Sequence, residues 1–185
     1  RLAAKISPLL FAANEQIVFR SLDHGVSWEQ VGLTGKTICS LAANSNGDIF
    51  AASRGCYDWP YGIGVFRSSD NGDSWAQLTD DFIVTSVVVD SEDQVFIGCS
   101  NLDGWPAGVR RSINNGASWE VIQSDLVLPT THIEPLAVAP DDHLYAISYE
   151  STSHLYRSTD PTVVASINTP SIPFGSGITL FNYPN

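Results

Sequence analysis

The sequence predicts an all-β fold: a β-propeller of four-stranded antiparallel blades, with about four blades visible. Three observations carry this. A corner of the form Ser-x-Asp/Asn-x-Gly-x-Ser-Trp recurs as SLDHGVSW at Ser21–Trp28, SSDNGDSW at Ser68–Trp75 and SINNGASW at Ser112–Trp119. Its first serines, with a worn fourth copy at Ser158, lie 47, 44 and 46 residues apart. Each interval holds the same order of short alternating segments and turn residues, and no window sustains a 3.6-residue apolar period. Four strands in each unit of about 40–50 residues are the mark of propeller blades.

The second interval shows the unit most clearly. ICSLAAN alternates and ends at the turn residues Ser45-Asn46-Gly47-Asp48. DIFAAS follows, then a loop, RGCYDWPYGIG, then GVFRSS, the corner and SWAQL. The next unit reads VTSVVVD, SEDQ, VFIGCS, the loop NLDGWPAG, VRRSI, the corner and SWEVI. A further unit gives IEPLAVA, PDDH, LYAIS, YESTSH and LYRST. At the amino-terminal side, LLFAAN and IVFRS supply the second and third strands of a preceding unit. Past Asp160 the pattern dissolves into Pro, Ser and Gly, which suggests an extended linker or a ring-closing segment. The predicted division is therefore 1–165 for the blades and 166–185 for that segment.

The corners resemble the Asp-box, or bacterial neuraminidase repeat, over roughly residues 8–160. That family includes sialidases, xyloglucanase-type glycoside hydrolases and sortilin-type receptors, so the resemblance implies a propeller and leaves activity open. The corner residues have a structural reading of their own. Ser21, Ser68 and Ser112 open the turns; Asp23, Asp70 and Asn114 can accept hydrogen bonds from turn N–H groups. Gly25, Gly72 and Gly116 permit positive φ. Trp28, Trp75 and Trp119 can fill space between blades. Arg20, Arg67, Arg111 and Arg157 each precede a corner serine, so the periodic arginine reads as part of the blade.

Nine basic residues face twenty acidic ones, a formal net charge of −11. Such a surface repels phosphate backbones and anionic lipid, which argues against nucleic-acid partners. No apolar run approaches the ~20 residues of a membrane-crossing helix, so no insertion is expected. The chain has no methionine, which reads as a processed or partial chain. Its last residues, ITLFNYPN, resemble the opening of a type IX secretion sorting domain; with the corners, this implies a secreted or cell-surface protein. Cys39, Cys56 and Cys99 lack zinc-ligand spacing; one disulfide with a free thiol, or three buried thiols, fits them.

In a four-stranded meander the corners lie at one end, and the loops between the second and third strands at the other. Two such loops carry Trp59-Pro60 and Trp105-Pro106, 46 residues apart. Tyr57 and Tyr61 flank the first. Flat aromatics beside Asp58 and Asp103 suit a neutral glycan or a protein ligand; the same tryptophans could equally cover blade edges. A sialidase needs an arginine trio, for which too few non-repeat arginines remain. Asp58 and Asp103 are weak candidates for a two-carboxylate glycosidase. Asp90-Ser-Glu92-Asp93 and Asp141-Asp142 fall where hairpin turns belong, which outweighs a calcium site. The expectation is a non-catalytic binding or scaffolding module with no cofactor or metal. The alternatives are a glycosidase fragment and a subunit assembling through its blade edges.

Overall fold

The structure is a computed structural model that describes residues 9–14, 16–54, 63–81, 83–100, 107–122, 132–149, 153–158, 167–168 and 173–174. Every regular element among them is a strand, and all the pairings are antiparallel. Four meanders follow one another as the blades of a β-propeller. Blade 1 contains β1 (Leu10–Ala13), β2 (Val18–Ser21) and β3 (Glu29–Gln30). Blade 2 contains β4 (Ile38–Ala43), β5 (Ile49–Arg54), β6 (Ile63–Ser68) and β7 (Ala76–Thr79). Blade 3 contains β8 (Ile83–Val89), β9 (Val95–Ser100), β10 (Gly108–Ser112) and β11 (Glu120–Val121). Blade 4 contains β12 (His132–Val138), β13 (Leu144–Tyr149) and β14 (Ser153–Ser158), with the short β15 (Ile167–Asn168) and β16 (Pro173–Phe174) both paired to β14. A single bridge, His132↔Ser100, links blades 3 and 4 into one hydrogen-bonded sheet.

Registers make the blades superimposable in sequence. Leu10 opposes Ser21 in blade 1, as Ile49 opposes Ser68 in blade 2. The first described strand of blade 1 is therefore the counterpart of the second strand of blade 2. Segments read as strand ends shift slightly: β7 runs on to Thr79, which places Leu78 inside a strand, whereas β3 and β11 keep only two residues each.

Successive residues of a strand face opposite sides of the sheet, so each blade shows one face to the blade before it and one to the blade after. Ala51 and Phe66 pack toward blade 1, with Val18, while Phe50, Ala52 and Val65 pack toward blade 3, with Val84, Val87, Val95 and Ile97. Phe96 and Val109 meet Leu136, Leu144 and Ala146 of blade 4. Both faces of the inner blades are thus apolar, which explains the unbroken burial of Ile49–Ser53 and Val95–Ser100. Each fully buried Val or Phe contributes about 1.5–3 kcal/mol. Contact between blades, rather than any single short meander, holds the fold.

The first strands of blades 2, 3 and 4 each carry an irregularity, at Ile38/Ser40, Val84/Ser86 and Ile133/Leu136. The extra residue has a job in two of them. The Cys39 thiol donates to the carbonyls of Ala52 and Val84, both at 3.3 Å. The Thr85 hydroxyl donates to the carbonyls of Gly98, at 3.0 Å, and Ile133. In each case one acceptor is in the same blade and the other in the next. Blade 4 places Glu134 and Pro135 there instead.

Candidate binding face

The two ends of the array differ in how far their polar groups are already used. At one end lie the corners and the turns between first and second strands. Ser21 donates its hydroxyl to Asp23 and accepts the Gly25 N–H at 2.7 Å. Asp23 accepts the Ser27 N–H at 2.8 Å and its hydroxyl at 2.6 Å. Ser68, Asp70, Gly72 and Ser74 repeat this set, and Ser112, Asn114, Gly116 and Ser118 do so with one reversal, the Asn114 amide donating to the Ser118 hydroxyl while its carbonyl oxygen accepts from the Ser112 hydroxyl and the Ser118 N–H. The Ser27 and Ser74 hydrogen bonds hold the Asp23 and Asp70 carboxyls down to about 2. The glycines sit at φ values of +87°, +92° and +85°, and the residue before each is also left-handed.

Each corner leans on the blade before it. The Trp75 indole donates to the Val31 carbonyl at 2.8 Å, and Trp119 packs against the cluster between blades 2 and 3. Trp28 differs: it donates only to its own turn, at Gly25, and remains 44% exposed.

The arginines before the corners are likewise engaged. Arg20 reaches Glu29, Asp73 and the Asn71 carbonyl; Arg67 reaches Asp48 at 2.8 Å; Arg111 reaches Glu120. The turn carboxylates that could suggest calcium serve the neighbouring blade. Asp93 accepts the N–H and hydroxyl of Ser45, and Asp142 accepts those of Ser91. Those bonds lower both carboxyls. Among the described residues no group of three His, Cys, Asp or Glu side chains is placed to hold a metal.

The opposite end is where the longer loops root. Arg54 opposes Ile63 at the base of the first, and Cys99 opposes Gly108 at the base of the second. Gly64 and Gly108 hold φ of +104° and +122° at these roots. A Cβ on Gly64 would lie 1.8 Å from the Thr79 carbonyl oxygen, so this position is closed to any side chain. The sequence-predicted residues Tyr57, Asp58, Trp59, Tyr61, Asp103 and Trp105, and Cys56 with them, lie outside the described residues.

Two charged features, one at this end and one midway along β10, escaped the sequence reading. Arg54 of blade 2 pairs with Glu134 of blade 4 at 3.9 Å, both partly exposed. The pair spans blades that are not neighbours, and it lies beside Cys39 on the first strand of blade 2. Burial pushes the Cys39 thiol up to about 12, with Glu134 adding to the shift and Arg54 opposing it. Arg110 is 6% exposed on β10, where blades 1, 2 and 4 carry Phe19, Phe66 and Tyr156. It stands beside Cys99, whose thiol burial drives up to about 12 against the pull of the guanidinium. Cys39 and Cys99 are both free thiols, and neither is poised as a nucleophile.

No family model matches the chain, and no curated relative is found for it. Solved structures do resemble it in fold. The GH74 enzyme of Niastella koreensis superimposes with a TM-score of 0.66 at 16% identity, covering 89% of this chain and 27% of that one. YCF48 bound to D1 peptide gives 0.61 at 14% identity, covering 86% and 50%. The extracellular domain of the one-component system BT4673 from B. thetaiotaomicron gives 0.61 at 13%, covering 90% and 21%. The chain thus spans half or less of the length of each of these structures. Together with the four meanders, these likenesses define it as a β-propeller.

Proposed function

We propose that this chain is a secreted Asp-box β-propeller module that binds or scaffolds an extracellular glycan or protein and catalyses nothing itself. The ligand sits on the face opposite the corners, against Tyr57, Trp59, Tyr61 and Trp105. The contrast between the two ends carries this reading. At the corner end, serine, carboxylate and arginine side chains are spent on one another. The other end holds the roots of long loops whose sequence is rich in aromatic residues, and Arg54 at the first root pairs with Glu134. Loops on a rigid scaffold are where binding residues collect. A peptide-bound protein and an extracellular domain among the similar folds agree with a binding role.

A glycan and extracellular-protein array tests the proposal. Ligands bound by the wild type should lose at least tenfold affinity in Trp59→Ala and Trp105→Ala; unchanged binding in both variants would remove the site. Similarity to a GH74 enzyme keeps one rival in view, a glycosidase fragment using Asp58 and Asp103. Hydrolysis of a polysaccharide panel that disappears in Asp58→Asn or Asp103→Asn would establish that rival.

A further inference from the structure

Asparagine stands before glycine at Asn46-Gly47, Asn71-Gly72 and Asn115-Gly116. Asparagine is thermolabile, and most so before glycine, where no side chain shields the next backbone nitrogen. That nitrogen loses its proton, attacks the side-chain carbonyl carbon and expels ammonia, which leaves a cyclic succinimide. Water then opens the ring at either carbonyl and yields aspartate or isoaspartate. One water enters and one ammonia leaves, so solvent supplies all that the reaction consumes. As dipeptides the three sites are alike; their surroundings are not.

Two of the sites lie in corners. The Gly72 N–H donates to the Ser68 hydroxyl and the Gly116 N–H to the Ser112 hydroxyl, each at 2.8 Å and each buried. Neither glycine has free space around it. A Cβ on Gly72 would lie 3.0 Å from Phe11 and 3.1 Å from Val31, and one on Gly116 would lie 2.2 Å from Leu78. The asparagines are held as well. Arg20 donates to the Asn71 carbonyl at 2.6 Å, and the Asn115 side-chain oxygen accepts from the Asn44 amide at 3.2 Å. Closing a succinimide here breaks the bond that shapes the corner and displaces side chains of the preceding blade.

Asn46-Gly47 forms the tip of the hairpin between β4 and β5, and Ser45, Asn46 and Gly47 are all exposed. The Gly47 N–H donates to the Asn44 carbonyl of its own turn, at the longer distance of 3.1 Å. A Cβ on Gly47 meets nothing within 4 Å, so the ring has room to close. Opening this tip costs one turn hydrogen bond, whereas opening a corner also costs packing between blades. We propose that Asn46 is the deamidation site of the folded protein, and that the corner serines Ser68 and Ser112 protect Asn71 and Asn115. The modification bears on the contact between blades 2 and 3. Ser45, next to Asn46, donates its N–H and hydroxyl to Asp93 of blade 3. An isoaspartate at 46 adds a main-chain carbon to the turn that sets Ser45 in place, and so loosens that clamp.

Peptide mapping by mass spectrometry tests this on the intact chain, aged at mildly alkaline pH both folded and in urea. Trypsin places the three sites on separate peptides, 37–54, 68–110 and 112–157. In the folded protein Asn46 should convert about tenfold or more faster than Asn71 and Asn115, since reaction through local opening follows the opening equilibrium. In urea the three rates should converge. Equal rates in the folded protein, or Asn71 or Asn115 leading, would overturn the proposal. Ser68→Ala should speed Asn71 while Asn115, in the same molecule, keeps its slow rate and reports that the fold persists. An unchanged Asn71 rate in that variant would remove the protective role of the serine. The aged wild type should also melt below the fresh protein, and Asn46→Gln should keep its midpoint. An unchanged midpoint after conversion to isoaspartate at 46 would refute the loosened clamp.

Discussion

Gly64 and Gly47 separate two reasons for a glycine. Both have positive φ, +104° and +86°, but a Cβ at Gly64 would strike the Thr79 carbonyl, while one at Gly47 meets nothing within 4 Å. Gly47→Ala should cost about 1–2 kcal/mol, the penalty of a left-handed L-residue. Gly64→Ala should cost clearly more, about 3 kcal/mol or above, because backbone must move as well. Urea denaturation of the two variants checks the order. The corner aspartates set the acid response. Asp23 and Asp70 are held near 2 in the folded protein against an ordinary 3.8. Their stabilisation is complete above the ordinary value and is lost as pH falls toward 2. Asp93 and Asp142 shift the same way, whereas burial raises Asp90 and gives it the opposite sign. The thermal midpoint should therefore fall between about pH 4 and 2, and Asp70→Asn should flatten that fall. An equally steep fall in the variant would contradict this assignment. Asn114 already performs the turn role without charge.

At the scale of strands, the extra residue in the first strands of blades 2 and 3 is a staple between blades. Thr85 is 1% exposed and its hydroxyl serves carbonyls in blades 3 and 4. Thr85→Val keeps the shape and removes the donor, so it should cost about 1–2 kcal/mol, while Thr85→Ser should cost less. Equal losses in chemical denaturation would show that the methyl, not the hydroxyl, matters. This staple was not legible in the sequence. Its position holds Cys in one blade, Thr in the next and Glu-Pro in the last, so no repeated letter marks it. Strand order and the corners were legible because repetition aligns the same side-chain types at the same turn. The alternation of faces can also be traced afterwards, from Phe11 through Phe50 and Phe96 to Tyr145. Arg110 breaks that logic: a guanidinium at an aromatic position reads as a surface residue, yet it lies between blades 2 and 3.

For the molecule as a whole, the two ends differ: one spends its serine, carboxylate and arginine side chains on corners and turns, and the other roots the loops. The Arg54–Glu134 pair could not be foreseen, because it joins two blades with a third between them. The residues proposed to touch ligand belong to the paired Trp-Pro loops, of which the structure describes only the roots. The contrast between the ends predicts where a ligand will leave its mark. Hydrogen–deuterium exchange on the intact chain, with and without the tightest glycan or protein from the array, tests it most directly. Protection should appear across 55–62 and 101–106, with the corners at 69–75 and 113–119 unchanged. Protection centred on the corners, with both loops unaffected, would contradict the account.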